Sequence, residues 1–152
     1  MKNILENKFW WAAKSFAAVV VFGIAVVSAQ GVFITELADP DNSSTTGRFV
    51  ELYNSSSSDI DLTAAGYKIQ RWTNANADPT SASVKDLTGT ISAGGFYIIC
   101  NDADLFLSTY GFSANQDIGT GGAADSNGDD QIAITNASGD IIDIFGVPGE
   151  DG

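Results

Sequence analysis

Short strands punctuated by polar turns constrain this chain most. Phe49-Val-Glu-Leu-Tyr-Asn54, Asp59-Ile-Asp-Leu62, Gly66-Tyr-Lys-Ile69 and Thr90-Ile-Ser-Ala-Gly-Gly-Phe-Tyr-Ile-Ile99 follow one another in that order. In the first block Val50 and Leu52 point one way while Phe49, Glu51 and Tyr53 point the other, the period of a strand. Residues 32–38 read as a strand that ends at the Asp39-Pro-Asp-Asn-Ser-Ser turn cluster. Residues 67–72 read as another, with Tyr67, Ile69 and Arg71 opposite Lys68, Gln70 and Trp72. Ile60 and Leu62 make a short edge segment. Residues 84–91 read as a strand that Ser92-Ala-Gly-Gly95 turns into the strongest one, residues 96–100. Two last strands, residues 131–135 and 141–145, are joined by Asn136-Ala-Ser-Gly139, whose glycine permits the positive φ of a hairpin.

Helix is scarce. Residues 102–110 admit one short helix: Asp102 or Asp104 can cap it, and Leu105, Phe106 and Tyr110 fall near helical spacing. Residues 73–83 lack apolar periodicity and read as a long surface loop, and a Gly-rich stretch fills residues 119–128. Turn signals recur about every ten residues, and that rhythm argues for an all-β antiparallel sandwich.

Ahead of the strands, residues 1–29 read as an export signal. Lys2, Lys8 and Lys14 give a positive start, residues 16–27 are apolar, and Val27-Ser28-Ala29 offers small residues for cleavage before Gln30. The apolar run falls short of the roughly 20 residues that span a bilayer as a helix. On this reading the chain touches membrane only through the signal segment before cleavage. The alternative is an uncleaved anchor with Trp10 and Trp11 at the membrane interface. Residues 30–152 then form one domain, long enough to hold a core without staples.

The order of these blocks, from Val32 to Phe145, resembles the lamin tail domain family. That resemblance implies an immunoglobulin-like antiparallel β-sandwich, preceded here by a signal-peptide helix, found in nuclear lamins and in secreted bacterial proteins. It also implies a closing strand: relatives continue past a Gly-Glu-Asp-Gly into a further strand with an aromatic residue. The sequence ends at Val147-Pro-Gly-Glu-Asp-Gly152, so the last strand is expected to be missing and the sandwich truncated. Such modules stand alone or attached to secreted nucleases, phosphatases and cell-surface proteins.

Charge narrows the partners. The leader holds three of the chain's seven basic residues and one of its nineteen acids, so residues 30–152 carry a formal charge of −14. Lamin tails of the nucleus have been linked to nucleic acid and chromatin, but such a surface repels phosphate backbones, and no nucleic-acid partner is expected. A protein or a cell-surface glycan fits better.

The chain has no histidine, which excludes Ser–His and Cys–His nucleophile pairs and the usual zinc hydrolase ligands. Cys100 is the sole cysteine, permits no internal disulfide, and shares a strand face with Phe96 and Ile98; it reads as a small buried hydrophobe. Glu36 and Glu51, on early strands that could be neighbours, are the one carboxylate pair, but a glycosidase dyad needs an acid held in an apolar cleft that the sequence does not show. Asp125-Ser-Asn-Gly-Asp-Asp130 places Asp125, Asn127 and Asp129 as alternate oxygen ligands, like the start of a calcium loop. It departs from that pattern because Gly128 precedes the third ligand and no glutamate closes the loop; an Asn-Gly turn with solvated acids is the plainer reading. No cofactor is expected beyond calcium at that loop. Trp72, Arg71 and Tyr67 beside the long loop could form a platform for sugar or peptide, or pack in the core and rim. Gly119-Thr-Gly-Gly122 resembles a phosphate loop only weakly, lacking its Lys-Ser/Thr ending.

The expected function is an exported, non-catalytic binding or structural module of a larger extracellular or cell-surface protein. Two alternatives stand beside it: an N-terminal accessory domain of a secreted hydrolase, a nuclease or phosphatase with its catalytic part beyond residue 152, and a calcium-stabilised surface or adhesion component.

Overall fold

The computed structural model describes residues 31–151. The signal segment and its Ala29–Gln30 cleavage point therefore lie outside the described residues.

Among the described residues ten strands and two α-helices follow in order: β1 Val32–Ala38, β2 Phe49–Asn54, β3 Ile60–Asp61, α1 Leu62–Ala65, β4 Lys68–Trp72, β5 Lys85–Asp86, β6 Thr90–Ile91, β7 Phe96–Cys100, α2 Ala103–Tyr110, β8 Gln116–Asp117, β9 Gln131–Thr135 and β10 Ile141–Phe145. They form a first sheet in the order β1-β2-β7-β8, a second in the order β10-β9-β4-β5, and a small ribbon of β3 with β6. Every pairing is antiparallel except β7 with β8. The all-β, immunoglobulin-like sandwich expected from the sequence is the fold observed.

Alternation explains the layers. Val50 and Leu52 of β2 and Tyr97 and Ile99 of β7 meet Ile69 of β4 and Ile132 and Ile134 of β9 in one core, each at most 3% exposed. Each such aliphatic side chain contributes roughly 1.5–3 kcal/mol through burial. The opposite side chains of the first sheet are only partly open to solvent. Phe49, Ile98 and Cys100 lie beneath α2, whose Phe106 is 0% exposed and closes a second apolar cluster. Phe106 meets Phe49 edge-on at 5.5 Å and Tyr110 at 4.6 Å. From Tyr97 to Cys100, β7 is thus buried on both faces.

The helix α2 stands where sequence spacing places it. The Leu105 N–H donates to the Asp102 side chain at 2.9 Å, and Gly111 closes the helix at φ 81°. The hairpin from β9 to β10 turns as expected, with Gly139 at φ 87°. Two elements differ. Of the short edge segment read at Ile60 and Leu62, Ile60 lies in β3 but Leu62 begins the short helix α1, because Asp61 accepts the Ala64 N–H at 3.0 Å and Gly66 stops the turn at φ 67°. Residues 84–91, read as one strand, split into β5 and β6. Leu87 turns inward there at 1% exposure, and Gly89, at φ 77°, breaks the pleat.

Two edges lie side by side. β1 ends the first sheet and β10 ends the second, and the Ile34 N–H donates to Asp143 Oδ2 at 2.7 Å. A side-chain carboxylate stands there in place of a strand partner.

Candidate functional site

Three regions carry the polar and aromatic groups that a function could use. The first is an ion-pair network around Asp125. Arg48, 7% exposed, donates from Nε to Asp39 Oδ1 at 2.6 Å and from Nη1 to the Asp125 carbonyl at 3.1 Å and Oδ1 at 3.3 Å. Arg71 Nη1 donates to the same carbonyl at 2.9 Å and lies 3.2 Å from Asp130 Oδ2. Asn101 Nδ2 donates to Asp125 Oδ1 at 3.0 Å, and the Gly121 N–H donates to Asp125 Oδ2 at 2.8 Å. Asp130 Oδ1 accepts the Asn74 N–H at 3.0 Å. Two guanidinium groups withdrawn from water need carboxylates beside them. The Asp125 carbonyl and Oδ1 serve that need while Oδ2 takes the Gly121 amide, so the network ties loops to strand ends.

The three residues of the calcium-loop reading stand in different surroundings. Asp125 faces guanidinium groups, Asn127 is exposed, and Asp129 Oδ1 is buried without a hydrogen-bond partner. Among the described residues no group of three or more His, Cys, Asp or Glu side chains is placed to hold a metal ion. A carboxylate already committed to arginine is a poor first ligand for a cation.

The platform of Trp72, Arg71 and Tyr67 is also not assembled at the surface. Trp72 is 5% exposed, Tyr67 packs against the main core, and Arg71 belongs to the Asp125 network. The cause is the segment read as a free loop. It folds back along β4: Thr80 donates to the Arg71 carbonyl at 2.9 Å, and Ser83 Oγ accepts the Arg71 N–H at 3.1 Å. Arg71 keeps its strand position in β4, Tyr67 immediately precedes that strand, and the Trp72 indole is core.

Glu36 and Glu51 do fall opposite each other on β1 and β2. Glu36 is exposed and Glu51 accepts the Thr35 hydroxyl at 2.8 Å. Neither is enclosed in an apolar cleft of the kind that keeps a catalytic acid protonated. Cys100 is 0% exposed, and burial, followed by the negative charge of Asp117, pushes its thiol from the usual 9.0 up to about 11. Its buried position agrees with the small-hydrophobe reading.

Sequence reading missed the second region. Phe33, Tyr53 and Phe96 stand opposite one another across β1, β2 and β7, one ring per strand on the outer face. Phe33 is 43% exposed and Phe96 57%, while the Tyr53 and Phe96 rings lie 5.0 Å apart. α2 covers the other end of this face and leaves the row uncovered. The signal was present in the outward phase of Tyr53 and Phe96, but the register joining three strands is not written in any one of them.

The third region is the open side between the two edge strands. A cavity of about 100 Å³ lies under Phe145, with Leu37, Ala38, Phe49 and Ile132 in its wall. Phe145 itself is 50% exposed.

A buried ion-pair network, an uncovered aromatic face and a carboxylate pair in the open are consistent in general with a binding or structural module built on a β-sandwich. The profile of the lamin tail domain family matches residues 26–149, and the chain belongs to that family of non-catalytic, immunoglobulin-like domains. Among curated proteins none matches this sequence.

Proposed function

We propose that the chain is an exported attachment module that fixes or positions a larger extracellular or cell-surface protein, with Phe33, Tyr53 and Phe96 as its contact face. The row of uncovered rings carries this reading. Three aromatic side chains aligned over adjacent strands lend the sheet some cross-strand stability. They gain far more when a partner removes them from water, and aromatic clusters of this kind anchor interfaces. The leader-like start and the acidic surface of residues 30–152 suit an exported, soluble module.

The test is retention. The full chain, fused to a reporter enzyme and produced in a secreting host, is expected to stay with the cell envelope. Phe33→Ala with Phe96→Ala releases it into the medium while the protein stays folded, its melting temperature lowered by only a few degrees. Release of the parent protein by protease identifies a protein partner, and release by glycosidases a glycan. Reporter that stays bound after both substitutions would remove the aromatic row from the function, and a fusion never retained would end the attachment reading.

A further inference from the structure

We propose that the aromatic row takes arginine side chains of a partner protein: their guanidinium groups stack on Phe33, Tyr53 and Phe96 and pair with Glu36 and Glu51 beside the rings. This rests on the attachment reading and names the partner's chemistry. Three observations converge on that face.

First, the acids and the rings share one surface. Glu36 stands opposite Glu51, the next outward pair after Phe33 and Tyr53. Glu51 and Tyr53 are alternate residues of β2, so they face the same way, about 7 Å apart along the strand. Burial first, and the charge of Glu36 second, raise the pKa of the Tyr110 phenol, which sets Glu36 on the side of the row nearer α2. Among the described residues neither carboxylate has a Lys or Arg within ion-pair distance. Like charges directly opposite on a sheet disfavour each other, and a cation between them reverses that sign.

Second, the rings suit a flat cation. Phe33 is 43% exposed and Phe96 57%, and the Tyr53 and Phe96 rings lie 5.0 Å apart at 40°. The negative faces of such rings attract cations, arginine more often than lysine. Guanidinium is planar and weakly hydrated, stacks on an open ring, and pairs with a carboxylate through two N–H groups.

Third, charge sorts the occupants. Residues 30–152 carry a formal charge of −14, which repels phosphate-bearing ligands and steers cations inward. A neutral glycan leaves both carboxylates unanswered. A second copy of the chain has little cationic surface to offer: Arg48 and Arg71 are withdrawn into the Asp125 network, and Lys68 pairs with Asp86.

The probe is a fluorescein-labelled peptide, Gly-Ser-Arg-Thr-Arg-Ser-Gly, beside versions with lysine or neutral citrulline at both arginine positions. Anisotropy titration of the full chain should show saturable binding of the arginine peptide, weakening as salt rises. The lysine version should bind less tightly and the citrulline version least. Glu36→Gln with Glu51→Gln should weaken the arginine peptide about ten-fold, equivalent to about 1.4 kcal/mol. That variant should stay folded, because Glu36 is exposed and a glutamine oxygen still accepts the Thr35 hydroxyl. Phe33→Ala with Phe96→Ala should weaken binding at least as much. No saturable binding, citrulline bound as well as arginine, or indifference to the glutamine pair would overturn the inference. Envelope retention separates the two readings: the glutamine variant should release the reporter fusion as the alanine variant does. Reporter held by the glutamine variant but released by the alanine variant would overturn the arginine ligand and leave the attachment face standing. Reporter held by both would remove the row itself.

Discussion

Asp125 shows how one side chain can look like a ligand and serve as a tie. Its two carboxylate oxygens and its carbonyl accept from Arg48, Arg71, Asn101 and the Gly121 amide. Asp125→Ala leaves Arg48 withdrawn from water with one partner fewer, and should destabilise the fold by about 3–5 kcal/mol in urea denaturation. Asp129→Ala removes a buried oxygen that has no partner, so its effect should be near zero or slightly stabilising. Calcium should leave the melting temperature of the chain unchanged; a rise abolished by Asp129→Ala would support the calcium-loop reading. Cys100 makes a further test. Its pKa is about 11 in the fold against 9.0 for an ordinary thiol, so between those values the folded state holds the proton that the unfolded chain releases. Stability should therefore be full below pH 9 and fall as pH rises toward 11. At neutral pH Cys100 should resist iodoacetamide until the protein unfolds.

Among the elements, α2 decides which part of the first sheet is core and which is surface. Phe106 is 0% exposed beneath it, and Phe106→Ala should cost about 3–5 kcal/mol by chemical denaturation. Phe96→Ala, on the same face but past the end of the helix, should cost less than about 1 kcal/mol. If the two costs were equal, the row would be packing rather than a contact face. At Gly66, a Cβ would lie 2.7 Å from the Ala137 side chain at φ +67°, so Gly66→Ala should lower the melting temperature through both strain and collision. Element scale is also where sequence reading succeeded and failed. Alternation in β2, the Asp102 cap of α2 and the Gly139 hairpin are local signals, and each stands where its residues place it. The two-residue strands β5 and β6 gave no period long enough to detect. Arg48 and Arg71 converge on one aspartate from distant positions, and the aromatic row needs the register of three strands. Those are tertiary facts, and an isolated pattern of spacing does not contain them.

For the whole molecule, the same two sheets that build the core leave a flat face of rings open on β1, β2 and β7. The sequence has no histidine, and among the described residues Glu36 and Glu51 face each other in the open rather than in an enclosed cleft. The most direct test is hydroxyl-radical footprinting of the full chain, free and bound to the envelope of a secreting host. Phe33, Tyr53 and Phe96 should react readily in the free protein and become protected on binding, while Trp72 and Phe106 stay unreactive in both. Rings that remain equally reactive in the bound state would contradict the attachment face.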